Sequence, residues 1–364
     1  MADLNKKISQ WSYHRQCLGK QGRTLQQVLK DVIGVYSAHP TAPLSLFARS
    51  RQFSENEFYQ MEKSRFVVRI PAMRQSAYLL PTKFASSVMA AVLPAPDDPY
   101  WEKRYSQKGR IIPLEKYPEW SWQILAIARD PKSASEIRQH TGISDVSLKP
   151  MLNRLAFKGS LLRIGSENLR SNLINYVSTQ SWLGKSFDFL QPDKALVWLA
   201  GKYLKAFGPA RIKDFQWWTG VTLTRAKKAV SQLKTIPIEG DNLLLTEDLE
   251  KFENDNFSPT DTVDLLPQWD CYTMGYAPDG RNRFVSPDLQ EQIYAKLGAT
   301  GGNALGVVLV NGTAHGTWTS RFTGTHMKIA LNIFEKPTAT LSKIIRQKFE
   351  EIATLLKAEK ITFE

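Results

Sequence analysis

The stretch from Ala200 to Leu233, AGKYLKAFGPARIKDFQWWTGVTLTRAKKAVSQL, constrains the fold more than any other. It reads as a helix, a Gly-Pro stop, a short helix, a tight turn and a second helix. Gly208-Pro209 ends the first helix, because glycine takes the left-handed exit and proline cannot continue. Thr219-Gly220 ends the short helix that carries Phe215, Trp217 and Trp218. Leu223, Ala226, Val230 and Leu233 then recur at helical spacing and predict an inward face. Arg225, Lys227 and Lys228 stand on the other face. Between Arg211 and Lys234 there are six Lys/Arg and one acid, Asp214. A helix-turn-helix with a basic, outward second helix points to a nucleic-acid partner. The same charges also fit a solvated face on a structural helical hairpin.

The pattern occurs twice. SASEIRQHTG predicts a short helix ending at Gly142. SDVSLKPMLNRLAFKGSL follows, with Ser144 as N-cap, Leu148, Met151, Leu152 and Leu155 as a buried stripe, and Gly159 as the stop. Pro150 must sit in the first turn of that helix or kink it. LLRIGSENLRSNLINYV then reads as a two-stranded wing. Lys149 to Arg170 holds five basic residues and one acid. The second copy has its own wing in TIPIEG and NLLLTED, around Gly240-Asp241. Two basic units, each followed by a hairpin, make a structural hairpin a weaker account than it is for either alone.

Composition bears on partners and compartment. The 364 residues carry a formal net charge of +13, which favours a polyanion. Charge is segregated: residues 1–30 hold six Lys/Arg against Asp3, and Glu239 to Asp264 holds nine acids against Lys251. Cys17 and Cys271 are too few for a disulfide framework, so a reducing compartment is expected. No apolar run approaches the roughly 20 residues that span a bilayer, and MADLNKKISQW has no signal-peptide core. The expectation is a cytoplasmic protein with no membrane contact. No GxGxxG or Walker loop occurs, so no nucleotide cofactor is expected. His14, His140, His315 and His326 are isolated, so no metal site is expected.

The coarse map places helices at 24–35, 44–51, 54–63 and 83–92, an extended stretch RFVVRIPAMRQSAYLL between the last two, and a Pro- and Lys-rich crossing segment at 98–114. The β-rich tail contains LLPQWDCYTMGY, GVVLVNGTAHGTWTSRF and MKIALNIFE, with Gly312 and Gly316 as turn or bulge residues and Trp318 as core. A helix at 339–357 and a last strand, ITFE, close the chain, so the tail reads as a sheet or a small barrel with one long helix. Four domains follow: 1–114, 115–182, 183–258 and 259–364.

RIPAMRQSAYLLP (Arg69 to Pro81), YLKAFGPARIKDFQWWTG (Tyr203 to Gly220), LLPQWDCYTMGY (Leu265 to Tyr276) and VLVNGTAHGTWTSR (Val308 to Arg321) together resemble the AlkZ/YcaQ-like superfamily of winged-helix DNA glycosylases. The resemblance implies an α+β fold: tandem winged helix-turn-helix units arranged around a C-terminal β-barrel, C-shaped with a basic concave cleft. It also implies a further winged helix within the first 92 residues.

The family's members release alkylated bases, including N7-alkylguanines and interstrand crosslinks, by hydrolysing the N-glycosidic bond. Its motif is Gln-aliphatic-Gln or Gln-aliphatic-Asp, after the first long helix. The matching stretch here, GVYSAHPTAPLSLFAR (Gly34 to Arg49), has no glutamine. His39 is the residue there able to accept a proton near neutral pH. It is a candidate to orient the water, with Thr41 adding a hydroxyl contact. Alternatively, His39 caps the helix starting near Pro43. Tyr36 is expected in the core or the cleft wall. Asp270 either lines the cleft or closes a turn. Arg74, Lys149, Arg154, Arg170, Arg225, Lys227 and Lys228 are the candidate DNA contacts. Double-stranded, damaged DNA is the expected partner, and tandem units in one chain predict a monomer. Two functions stay open: a monofunctional DNA glycosylase with an altered motif, and a non-enzymatic DNA-binding protein, either a lesion binder or a transcription regulator.

Overall fold

The computed structural model describes residues 2–19, 22–50, 52–106, 112–255, 262–294 and 303–364. The fold mixes helices with sheets, in two compact units. Residues 1–58 and 200–364 form one, and residues 59–199 form the other. No helix among the described residues is long and apolar enough to cross a membrane.

The unit of residues 59–199 contains the hairpin Val67–Pro71 and Ala77–Pro81, turned by the short helix Met73–Gln75. The hairpin continues antiparallel into Leu161–Gly165 and then Ile174–Ser178. Tyr100–Tyr105 is a helix that buries Trp101 and Tyr105. Helices Ala134–Thr141 and Asp145–Phe157 follow where the spacing predicts them. Leu148, Met151, Leu152 and Leu155 are all buried. Pro150 lies past the first turn of an unbroken helix, which forfeits one backbone hydrogen bond.

In the other unit, helix Ala2–Arg15 was not expected, because its sequence is polar and carries only short apolar spacing. Burial of Ile8 and Trp11 accounts for it, with the Trp11 indole edge-on to Phe252 at 5.4 Å. Helix Leu25–Asp31 starts at a Thr24–Gln27 capping box. The helices Ile212–Thr219 and Leu223–Val230 meet at Gly220. The inward face is Ala226, Ala229 and Val230, whereas Leu223 is 46% exposed and does not join it. Leu223 is the first residue of its helix and points past the end of the stripe.

The tail forms an open five-stranded sheet in the order Lys360–Phe363, His326–Ile333, Thr313–Thr323, Gly306–Val310, Val263–Leu266. It does not close on itself among the described residues, so the expected barrel is a sheet with two edges there. Pairing is antiparallel except for the last strand, which runs parallel to His326–Ile333. Gly312 turns the central hairpin at φ 82°, and the register shifts between Ala314 and Gly316, as their positions predict. Trp318 is buried, donates its indole N–H to the Leu266 carbonyl at 2.9 Å, and meets Phe349 of helix Ala339–Leu355 edge-on.

Candidate functional site

The loop after helix Leu25–Asp31 leaves through two consecutive left-handed residues, Ile33 and Gly34. A two-residue strand, Val35–Tyr36, follows, and then His39-Pro40. Thr41 occupies the N-cap of helix Ala42–Phe47 without a side-chain cap bond. The His39 imidazole makes no hydrogen bond among the described residues, so the expected alternative of a histidine cap is not what holds it. It stacks instead on the indole of Trp269, with centroids 4.1 Å apart and planes 19° apart. Tyr36 completes the group, 6.2 Å from His39 and 5.7 Å from Trp269. The Ser37 and Thr41 hydroxyls nearby are buried and lack a hydrogen-bond partner. Burial pushes the His39 imidazole below its ordinary value and the Tyr36 phenol above its own. At neutral pH the imidazole is therefore uncharged and keeps a lone pair for a water.

Trp269 is held firmly. It adopts a left-handed backbone at φ 58°, costly for a bulky residue, and donates its indole N–H to Asn303 Oδ1 at 3.1 Å. The next residue explains how it is kept there. Asp270 is 0% exposed and does not line an open surface. Its two oxygens accept Arg49 Nη2 and Nη1, both at 2.7 Å, across 221 positions of sequence. Arg49 also donates Nε to the Gln16 carbonyl and Nη1 to the Ser45 carbonyl. Burial alone pulls the Arg49 guanidinium down, but the Asp270 carboxylate more than offsets this. The pair fastens the segment that follows His39 to the loop that carries Trp269. The site therefore joins His39, Thr41 and Tyr36 to Trp269, and Asp270 acts from beneath.

The cationic candidates divide between the two units. Arg74 is exposed at the hairpin turn, in a left-handed conformation. Lys149 is exposed on helix Asp145–Phe157, and Arg170 in the loop between strands Leu161–Gly165 and Ile174–Ser178. Arg154 is half-buried, lies over the Trp101 ring at 4.8 Å and donates Nη2 to the Pro96 carbonyl. In the other unit Lys227 and Lys228 are exposed, and Arg225 is half-buried.

The two helix pairs correspond residue for residue, with 133–155 aligning to 211–233 without a gap. Ser133 with Glu136, and Arg211 with Asp214, close capping boxes at the same positions. Thr141 and Thr219 each donate a hydroxyl to the carbonyl four residues back, at 2.8 Å in both cases. Gly142 and Gly220 are both left-handed, and Ser144 and Thr222 are both extended N-caps. The corresponding outward residues are Lys149 and Lys227.

Sequence reasoning passed over Trp269 and Arg49. Trp269 stands beside Asp270 in the LLPQWDCYTMGY segment already singled out, and that adjacency was the available signal.

A family model described as DNA glycosylase AlkZ-like matches residues 30–356. Among solved structures, the DNA glycosylase AlkZ of Streptomyces sahachiroi is similar, with a TM-score of 0.75 and 17% identity over 99% of this chain and 98% of that one. At that identity the likeness is one of fold. No curated protein matches the sequence.

Proposed function

Because the chain belongs to the AlkZ-like DNA glycosylase family, we propose that it hydrolyses the N-glycosidic bond of an alkylated base in duplex DNA, with His39 holding the attacking water. What carries this reading is the His39 imidazole, stacked on Trp269, neutral through burial and without a hydrogen-bond partner among the described residues. An N7-alkylated guanine leaves as a neutral base after bond cleavage, because it already carries positive charge. Little leaving-group acid is then needed. The catalyst has to place a water against C1′ and tolerate an oxocarbenium-like transition state. A neutral imidazole accepts the water's proton, and we assign the Thr41 hydroxyl, buried and without a hydrogen-bond partner, to bind the same water. N7-alkylguanine-type and crosslinked bases are the substrate class this chemistry suits.

The repeated helix pairs with their hairpins read as winged helices, within the four-domain division at 1–114, 115–182, 183–258 and 259–364. Arg74, Lys149, Arg170, Arg225, Lys227 and Lys228 read as phosphate contacts. Asp270 reads as a positioning residue for Trp269 rather than an acid or base.

The test is incubation with duplex DNA containing N7-methylguanine, followed by alkaline cleavage at abasic sites. Strand breaks that depend on the protein and vanish in His39→Ala support the reading. No base release from any N7- or N3-alkyl substrate leaves a DNA-binding module without this chemistry.

A further inference from the structure

Three arginines of the unit formed by residues 59–199 sit among aromatic rings with no carboxylate between them. Arg154 lies over Trp101 at 4.8 Å and Tyr117 at 5.9 Å. Arg104 lies over Phe157 at 5.3 Å and donates to the Tyr100 hydroxyl. Arg163 donates Nη2 to Asn153 Oδ1 at 2.8 Å and lies beside the Tyr176 hydroxyl, which favours its charged form but leaves its Nε without a partner. The three share one neighbourhood. Trp101 packs on Phe157 with centroids 5.0 Å apart, and the Tyr105 hydroxyl acts electrostatically on both Arg154 and Arg163.

Their donors are not used up. Arg104 Nε, Arg154 Nη1 and Arg163 Nε are buried without a hydrogen-bond partner, and so is the Tyr117 hydroxyl. No acid among the described residues pairs with any of the three arginines. Burial pulls the Arg154 and Arg163 guanidiniums below their ordinary value, as it does for a cation without a counter-ion. Aromatic faces compensate a cation only in part. Buried donors normally have partners, so several orphans in one place mark where an acceptor is missing. A single carboxylate has too few oxygens for three planar forks, whereas a tetrahedral oxyanion supplies both the charge and the acceptors.

We propose that Arg104, Arg154 and Arg163 form a phosphate-binding site. The phosphate comes either from the DNA backbone or from free phosphate in solution. The site does not depend on the base-release chemistry.

The experiment uses the full chain. Inorganic phosphate is titrated at constant ionic strength, balanced with chloride, while Tm and tryptophan fluorescence are followed. Duplex affinity is measured over a salt series, for the wild type and for Arg163→Gln. A saturable rise in wild-type Tm that is absent in R163Q supports the site. A log–log salt slope shallower in R163Q by about 0.9 assigns the phosphate to the DNA backbone. An unchanged slope alongside the Tm response assigns it to free phosphate. No saturable phosphate response in the wild type, together with equal slopes, overturns the site. Should R163Q not fold, Arg104→Gln carries the same comparison, and the wild-type titration stands by itself. Base release is not a readout here, so failure of the glycosylase reading leaves the result interpretable.

Discussion

Stacking fixes the plane of a ring, and with it the directions in which its nitrogens can bind. At the scale of single residues, this is what Trp269 contributes to His39. His39→Ala is expected to slow base release by about 10²-fold or more, the usual scale of a lost general base, with duplex affinity nearly unchanged. Because burial lowers the imidazole's affinity for a proton, the uncharged ring persists below the usual value of about 6.5. The acid limb of the pH–rate profile should therefore lie below that value, and a limb at or above it would contradict a buried, neutral His39. The same shift makes protonation favour the unfolded chain. Any stability linked to His39 is present above the unfolded value and lost as pH falls toward the folded one. Asp270→Ala tests a different role. It leaves Arg49 buried and unpaired, at a cost of about 3–5 kcal/mol, so calorimetry should show a lower Tm before any kinetic effect; normal Tm with lost activity would return Asp270 to the chemistry. His39 was legible in the sequence as the candidate proton acceptor of a loop without glutamine. Trp269 was not, because its meeting with His39 depends on the Arg49–Asp270 pair, which no local pattern encodes.

At the scale of elements, the helix pairs were legible because their punctuation is local: glycine stops, Ser and Thr caps, apolar residues three and four apart. Gly142 and Gly220 are left-handed, and a Cβ on Gly142 would meet nothing within 4 Å. Gly142→Ala should therefore cost about 1–2 kcal/mol from backbone conformation alone, measurable by denaturant unfolding. What failed was burial at the ends of elements. Leu223 fits the stripe by spacing and misses it in space, because a helix's first residue overhangs the core. Helix Ala2–Arg15 has little periodicity of its own and owes its place to the pocket that receives Trp11. Replacing Arg225, Lys227 and Lys228 together by Ala should weaken duplex binding with little change in Tm, since Lys227 and Lys228 are exposed. A fall in Tm with full affinity would mean that the helix uses these residues for packing.

For the molecule as a whole, the net charge of +13 predicts that affinity for duplex DNA falls steeply with salt, with a log–log slope of about −0.9 per phosphate neutralised. A fluorescence-anisotropy series in KCl measures it, and a flat series would remove DNA as the partner. The sequence foretold a β-rich tail, as a sheet or a small barrel, but could not choose between them, since strand spacing says nothing about closure. It did not foretell the division into units either, because a unit assembled from two distant segments leaves no mark at its joints. That discontinuity has a consequence for synthesis. Residues 1–58 are made first, yet the unit they belong to is finished only with residues 200–364. The whole of the intervening unit is translated before Asp270 can reach Arg49. A nascent chain thus carries His39 for most of its translation without the indole that stacks on it, and a product terminated before Trp269 would leave that imidazole without its stacking partner.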